Sequence, residues 1–446
     1  MGRNKRSVFQ LSHQTIPTID RWGWLALLVA APLLLFPSAS ATPIFLVVPA
    51  LLWVQQRSAS WRTALDWPIL LMAVMILVSL YATYDIAVSL PKIAGVLLGI
   101  AAFYTCARLS VSRAGWWAGL AAFLGGGVAV AGLGLLGTRW GTKIDSLQPI
   151  LDLLPARLVT LPGAEGGFQP NEVAGALLWV IPPLWALAWF TVSRAGVLRA
   201  RFGPGWYASL VAVTLAANVL ALGTFSLTQS RSGYLGLALA IPVMLVFGLP
   251  GRARWVALGA SLLLAIGGLV YLAAGPVDIL SGSDVQIDTL NGRLEIWSRA
   301  LYGLQDFPFT GMGMNTFRQV VHILYPLFLI SPDIDIAHAH NEFLQAGLDL
   351  GLPGLIAFIA LYLGAFSMLA RITQRRHLAV ELKRIGNDPF DPTCLTLGLG
   401  GGLLAHLFYG LTDAIALGAK PGLLFWILLG LIVGLERFSW NSNNTH

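Results

Sequence analysis

"WYASLVAVTLAANVLALGTFS", residues 206–226, runs for 21 residues without a charged side chain. At about 1.5 Å of rise per residue, a helix of that length matches the ~30 Å hydrocarbon core of a bilayer. Lipid offers no hydrogen bonds, and a helix satisfies its own backbone groups there. The stretch therefore reads as a transmembrane helix. The same pattern recurs in both directions, from residue 22 to residue 436 of a 446-residue chain. That chain is 56% hydrophobic and 11% charged, with a mean hydropathy of +0.73. A soluble domain of this size has too little interior to hide so much apolar surface. The expected fold is an all-α polytopic membrane protein forming a single integral membrane domain over residues 1–446, without internal repeats or low-complexity tracts.

Twelve spans are expected, at about 22–37, 41–56, 66–82, 89–107, 115–137, 171–190, 206–226, 232–249, 255–274, 351–370, 394–411 and 421–436. The first apolar stretch, followed by Ala39-Ser40-Ala41, reads either as a cleaved signal peptide or as half of an uncleaved hairpin. The second span follows almost at once, which favours the hairpin. On this count 19 of the 28 Lys and Arg residues fall on the side that holds both termini, and the positive-inside rule makes that side cytoplasmic. The net charge of +7 thus sets orientation and gives no reason to expect nucleic acid. The 16 tryptophans, Trp22, Trp24, Trp61, Trp67, Trp116 and Trp117 among them, suit interfacial belts. Two cysteines, Cys106 and Cys394, suggest neither a disulfide framework nor a metal ribbon.

Two segments stand on the opposite, periplasmic face. Residues 138–170 form a polar loop whose "TKIDSLQPILDLLPARL" has the pattern of an amphipathic surface helix. Residues 275–350, between the ninth and tenth helices, form a far longer loop, and loops of that length are usually functional.

The residues that carry chemistry collect on that face. Arg231 in "TQSRSGYLG" and Arg293 in "NGRLEIWSRALYGLQDFPFTGMGMNTF" run against the charge bias. Each has a bland reading, a snorkelling arginine for Arg231 and a solvated one for Arg293. A planar guanidinium also suits phosphate oxygens, and two near one pocket would clamp a pyrophosphate. Lys92 in "SLPKIAGVLLG" lies one turn inside a span, where a charge either snorkels or serves a function. His340 and Asn341 close the long loop. An imidazole with a pKa near 6.5 can accept a hydroxyl proton at working pH. His338 and His322 are rival positions with structural readings. Asp333, Asp335, His338 and His340 form a ligand-like group whose spacing matches no strong metal site, so neither metal nor cofactor is expected. No phosphate-binding GxxxxGK[ST] loop is present, so energy for chemistry must arrive with an activated substrate, for which a lipid carrier is one candidate.

His340-Asn341, nine residues, Gly351, two residues and Gly354 together resemble the histidine motif of O-antigen ligases. "SRSG" at 230–233 and "NGRLEIW" at 291–297 resemble the two arginine motifs of the same superfamily, and "GGFQPNEVAGALL" at 166–178 is similar to its Asn-containing helix entry, which brings in Asn171. The resemblance implies a GT-C-like, metal-independent, inverting glycosyltransferase of the bacterial inner membrane with a periplasmic active site. Its donor would be a glycan on undecaprenyl pyrophosphate, and its acceptor lipid A–core oligosaccharide. Carried over by motif, His340 would be the general base, and Arg231 and Arg293 would hold the leaving pyrophosphate. Lys92, Asn171 and Asn341 would contact substrate, and Asp413 in "GLTDAIALG" would orient His340 or an arginine. O-antigen polymerases and protein-glycan ligases share the superfamily. A transporter or flippase is a different class, and the scarcity of acidic residues at the span centres speaks against it.

Overall fold

The structure, a computed structural model, describes residues 62–110, 112–141, 143–144, 147–154, 166–249, 251–274, 290–381 and 395–444. The two expected spans at 22–37 and 41–56, Cys394, and the start of the long loop lie outside these residues. The described chain is all-helical: α1 Asp66–Ala82, α2 Ile86–Leu109, α3 Arg113–Gly137, α4 Gln148–Leu151, α5 Pro170–Ser193, α6 Ala195–Phe202 and α7 Pro204–Leu227, then α8 Arg231–Gly248, α9 Ala253–Ala274, α10 Leu290–Asp306, α11 Phe317–Leu324, α12 Glu342–Glu381, α13 Thr396–Gly410 and α14 Leu423–Asn444. Six of these helices are long and apolar enough to cross a membrane by length and composition. The molecule is a multi-pass membrane protein.

Helix α7 shows how a nearly uniform sequence still has two faces. Val213, Leu215 and Val219 are exposed, as lipid-facing residues must be. Ala217, Ala221 and Phe225, spaced by one turn, are buried on the side that meets α3 and α5. Helix α13, "TLGLGGGLLAHLFYG", lies between α5 and α8. A Cβ at Gly402 would sit 2.5 Å from the Trp179 carbonyl oxygen, and one at Gly236 would sit 2.5 Å from the Ala405 carbonyl oxygen. Helices in lipid gain little from the hydrophobic effect, so such backbone-to-backbone approach supplies the packing that holds them together.

The described part of the long loop folds around its own apolar core. Ile296, Ala300, Phe317, Val321 and Ile336 are buried with Leu348 of α12. Helix α12 starts nine residues before the expected position 351, because the stretch after His340 is already helical. Its break falls at Gly351 (φ 69°, ψ 179°), a conformation open essentially only to glycine. There Leu352 N donates to the Pro308 carbonyl at 2.7 Å, and Met312 N donates to that of Leu348 at 2.7 Å. The helix interruption is thus the seat on which the 307–313 turn docks.

The amphipathic helix expected in the smaller loop is realised only at Gln148–Leu151 among the described residues. That loop is held instead by point contacts. An isolated bridge joins Thr138 and Phe168, and buried Gln229 accepts from the backbone N–H of Lys143 (2.7 Å) and Ile144 (2.6 Å).

Candidate active site

Helix α10 supplies the first two groups. Arg293 and Trp297 lie one helical turn apart and therefore share a face. The Trp297 indole donates to the His340 carbonyl at 3.1 Å. The Arg293 guanidinium donates to Ser232 Oγ at 3.0 Å and to the Thr412 carbonyl. It also faces Asp413 Oδ2 at 3.4 Å. Along α10 the apolar Ile296 and Ala300 are buried in the loop's core, while the partly buried Arg293 and Trp297 reach the site. Glu295, on another face of α10, accepts from Phe328 N at 2.6 Å and Leu329 N at 2.9 Å and shapes the following loop.

Asp413 is the hub. It is 1% exposed and holds His340 Nδ1 with Oδ1 at 3.3 Å and Arg293 with Oδ2. A carboxylate only accepts, so Nδ1 carries the proton and Nε2 keeps its lone pair. Burial alone would raise the Asp413 carboxyl, but the hydrogen bond from His340, with the positive charge of Arg293 beside it, holds it well below the usual carboxylate range. It is an anion at any physiological pH. Of the roles assigned to Asp413 by resemblance, orienting His340 or an arginine, the geometry contains both contacts.

His340 has a left-handed backbone (φ 46°), uncommon for a residue with a side chain. This turns its own N–H onto the neighbouring ring, where it donates to His338 Nδ1 at 3.2 Å. His338 is buried, and burial, followed by the charge of His340, lowers its imidazole to about 3. It is neutral, with its remaining proton on Nε2. His322 faces the Ile334 carbonyl at 2.8 Å, and Asp335 pairs with Arg318. The ligand-like group is therefore redrawn. His338, His340 and Asp413 each place one ligand atom within 4.8 Å of the others, so they could hold a metal ion.

Asn341 is built into the scaffold. Its Oδ1 accepts from Phe343 N and Leu344 N, each at 3.0 Å, capping α12. Its Nδ2 donates to the Leu411 carbonyl at 2.9 Å. Asn171 meets α13 through its backbone, whose carbonyl accepts from the Tyr409 hydroxyl at 2.9 Å. Arg231 opens α8 directly after the capping residue Ser230, and it is exposed. It precedes Ser232, which holds Arg293, so the two arginine segments meet there. The half-buried Lys92 lies close enough for its charge to act on His338.

Two groups near this cluster are not evident from the sequence motifs. Glu342, directly after Asn341, and His406 on α13 form a buried pair with His406 Nε2 3.2 Å from Glu342 Oε2. A titratable residue within an apolar span is the signal that marks His406; Glu342 stands next to a recognised motif.

Residues 216–359 match the family model described as "O-Antigen ligase". The chain is also 25% identical over 246 residues to "Exopolysaccharide production protein ExoQ" of Rhizobium meliloti (strain 1021), a match covering 49% of this chain and 54% of that protein. The chain thus spans about half the length of that relative. The family match takes in Arg231, Arg293 and the His340-Asn341 pair, and it ends before His406 and Asp413.

Proposed function

We propose, on the match of residues 216–359 to the O-antigen ligase family model, that this chain is a membrane-embedded glycosyltransferase that moves a glycan from undecaprenyl pyrophosphate to a hydroxyl of lipid A–core oligosaccharide. The observation that carries this reading is the single buried carboxylate of Asp413, which joins the candidate base to a candidate anion holder. Asp413 fixes His340 with its proton on Nδ1, which leaves Nε2 to take the acceptor's hydroxyl proton. The acceptor oxygen then bonds to the anomeric carbon as the bond to the pyrophosphate oxygen breaks, with inversion. The proton rests on His340, and the lipid pyrophosphate leaves as an anion.

Arg293 and Arg231 bind that anion. The Arg293 Nε is buried with no hydrogen-bond partner, a donor the protein itself does not satisfy. Arg231 contributes from the exposed start of α8, and Lys92 lends positive charge to the rim. Asn341 serves by holding His340 against the loop that carries Asp413, and Asn171 by anchoring the entry to α5. No metal is required: two guanidinium groups take the place a divalent cation would fill, and Arg293 beside Asp413 disfavours a cation on the His338–His340–Asp413 group. The active site lies on the periplasmic face of the inner membrane, in keeping with the distribution of basic loops. The described residues 290–341, ahead of α12, deliver Arg293, His340 and Asn341 to the site.

The exopolysaccharide relative favours a second reading with the same chemistry, in which the acceptor is another glycan chain and the product a longer polymer. A lipopolysaccharide gel from a ligase-deficient strain complemented with this chain separates them. High-molecular-weight ladders on lipid A–core support ligation; free or lipid-linked polymer without them supports polymerisation. In either assay His340→Ala should lower turnover by about 10²–10⁴-fold, the usual contribution of general-base catalysis. His338→Ala should be far milder.

A further inference from the structure

The His340–Asp413 contact is the first of three successive links between the start of α12 and the end of α13. In the second, Asn341 Nδ2 donates to the Leu411 carbonyl at 2.9 Å. In the third and most buried, Glu342 meets His406. Residues 340, 341 and 342 thus face 413, 411 and 406 like rungs of a ladder, and the third rung is closed off from solvent. His406 is completely buried, and Glu342 is 5% exposed.

The third rung has a definite proton count. His406 Nδ1 lies 2.9 Å from the Gly175 carbonyl, which can only accept, so Nδ1 must carry a proton. Nε2 faces the two carboxyl oxygens of Glu342 at 3.2 and 3.3 Å. With no proton between them, two lone-pair-bearing groups would face each other in an apolar interior, at high cost. One proton therefore sits between His406 and Glu342, whichever atom holds it, and the pair as a whole is neutral. Such a unit can remain in a membrane bundle where a lone charge cannot. The imidazole also stacks on Trp179, with ring centroids 3.7 Å apart, so it has little freedom to follow a displaced partner.

We propose that Glu342 and His406 are positioning residues: their shared-proton contact locks the first turn of α12 to α13 and thereby sets His340 against Asp413. The role rests on the transferase reading for its consequence in catalysis, but the placement of His340 can be measured without any glycan substrate. The probe is diethylpyrocarbonate, which modifies unprotonated imidazole nitrogen. The full-length chain in detergent is treated, and modification of His340 is followed by peptide mass spectrometry.

Glu342→Ala should raise the His340 modification rate by about tenfold, the scale of one lost hydrogen bond. Glu342→Gln should stay within about twofold of the parent, because its amide N–H donates to the lone pair of a neutral His406 Nε2 and restores the link. Glu342→Asp retains the charge but is one methylene too short, and it should behave like Glu342→Ala; it decides the matter if the alanine variant does not insert. A rate unchanged in both Ala and Asp variants overturns the proposal. So does a Gln variant as reactive as either of them. Where transfer is assayed, Ala and Asp should lower kcat with donor KM retained, and Gln should rescue it. The expected modification pattern in a parent that transfers no glycan refutes the transferase reading and leaves the positioning role standing.

Discussion

Replacing Asp413 by Asn keeps the side-chain shape and removes one charge at the point where the proposed base and anion holder meet. Asp413 accepts from His340 Nδ1 at 3.3 Å, from Arg293 at 3.4 Å and from Ala414 N at 2.9 Å. An Asn amide cannot serve all three. Turning its oxygen to Arg293 aims its N–H at His340 Nδ1, which forces the ring proton to Nε2 and removes the lone pair that accepts the acceptor's proton. Turning it the other way sets N–H against guanidinium.

The same tautomer error in a serine protease triad, made by the same Asp-to-Asn change, costs about 10⁴ in kcat. Here a loss of about 10²–10⁴ is expected. Arg293 retains Ser232 and Thr412 as partners, so the stability cost should be about 1–3 kcal/mol rather than the larger figure for a fully orphaned charge. The pH dependence has a definite sign. The folded-state carboxyl is lowered, so its contribution is fully present above the unfolded carboxylate value of about 3.9 and fades as pH falls through the folded value beneath it. Parent and Asp413→Asn should therefore differ in unfolding midpoint at neutral pH and converge only under strong acid. Transfer is measured in membranes at matched protein levels, and unfolding in detergent. Near-normal turnover in Asp413→Asn would refute the proposed use of His340 as base.

Gly351→Ala places a side chain at φ 69° and ψ 179°, with its Cβ 2.6 Å from the Phe309 carbonyl oxygen; it should destabilise the chain by about 1–3 kcal/mol or more, read as a lower unfolding midpoint. A cysteine introduced at position 285 should be labelled from outside the inner membrane and one at position 380 should not, and the reverse pattern would invert the topology. Transfer in vitro should survive EDTA; loss that a divalent ion restores would move His338, His340 and Asp413 into a metal centre.

What could be read from the chain alone was what depends on neighbours along it. Membrane helices are legible because an uncharged run such as residues 206–226 is long enough to cross a bilayer wherever it occurs, and lipid leaves its backbone one choice. Arg231 and His340 stand out as candidates because each sits in a short local pattern beside such a run, and Arg293 because it sits in one within the long loop. The start of α12 is hidden in the sequence because the polar residues Asn341, Glu342 and Gln345 conceal a helical turn. They do so by bonding within the protein: Asn341 caps the turn, and Gln345 donates to Asp349 at 2.9 Å. Other features joined residues far apart in sequence. Asp413 lies 73 residues from His340 and 120 from Arg293; Glu342 and His406 are 64 apart. Side chains that distant meet only after the helices between them have packed, and packing depends on where small residues such as Gly402 and Gly236 let backbones touch. Composition and period thus determined that this chain crosses a membrane and which residues could do chemistry at its edge. Which carboxylate faces which imidazole was decided by the tertiary structure, because a hydrogen bond depends on distance in space and a sequence records only distance along the chain.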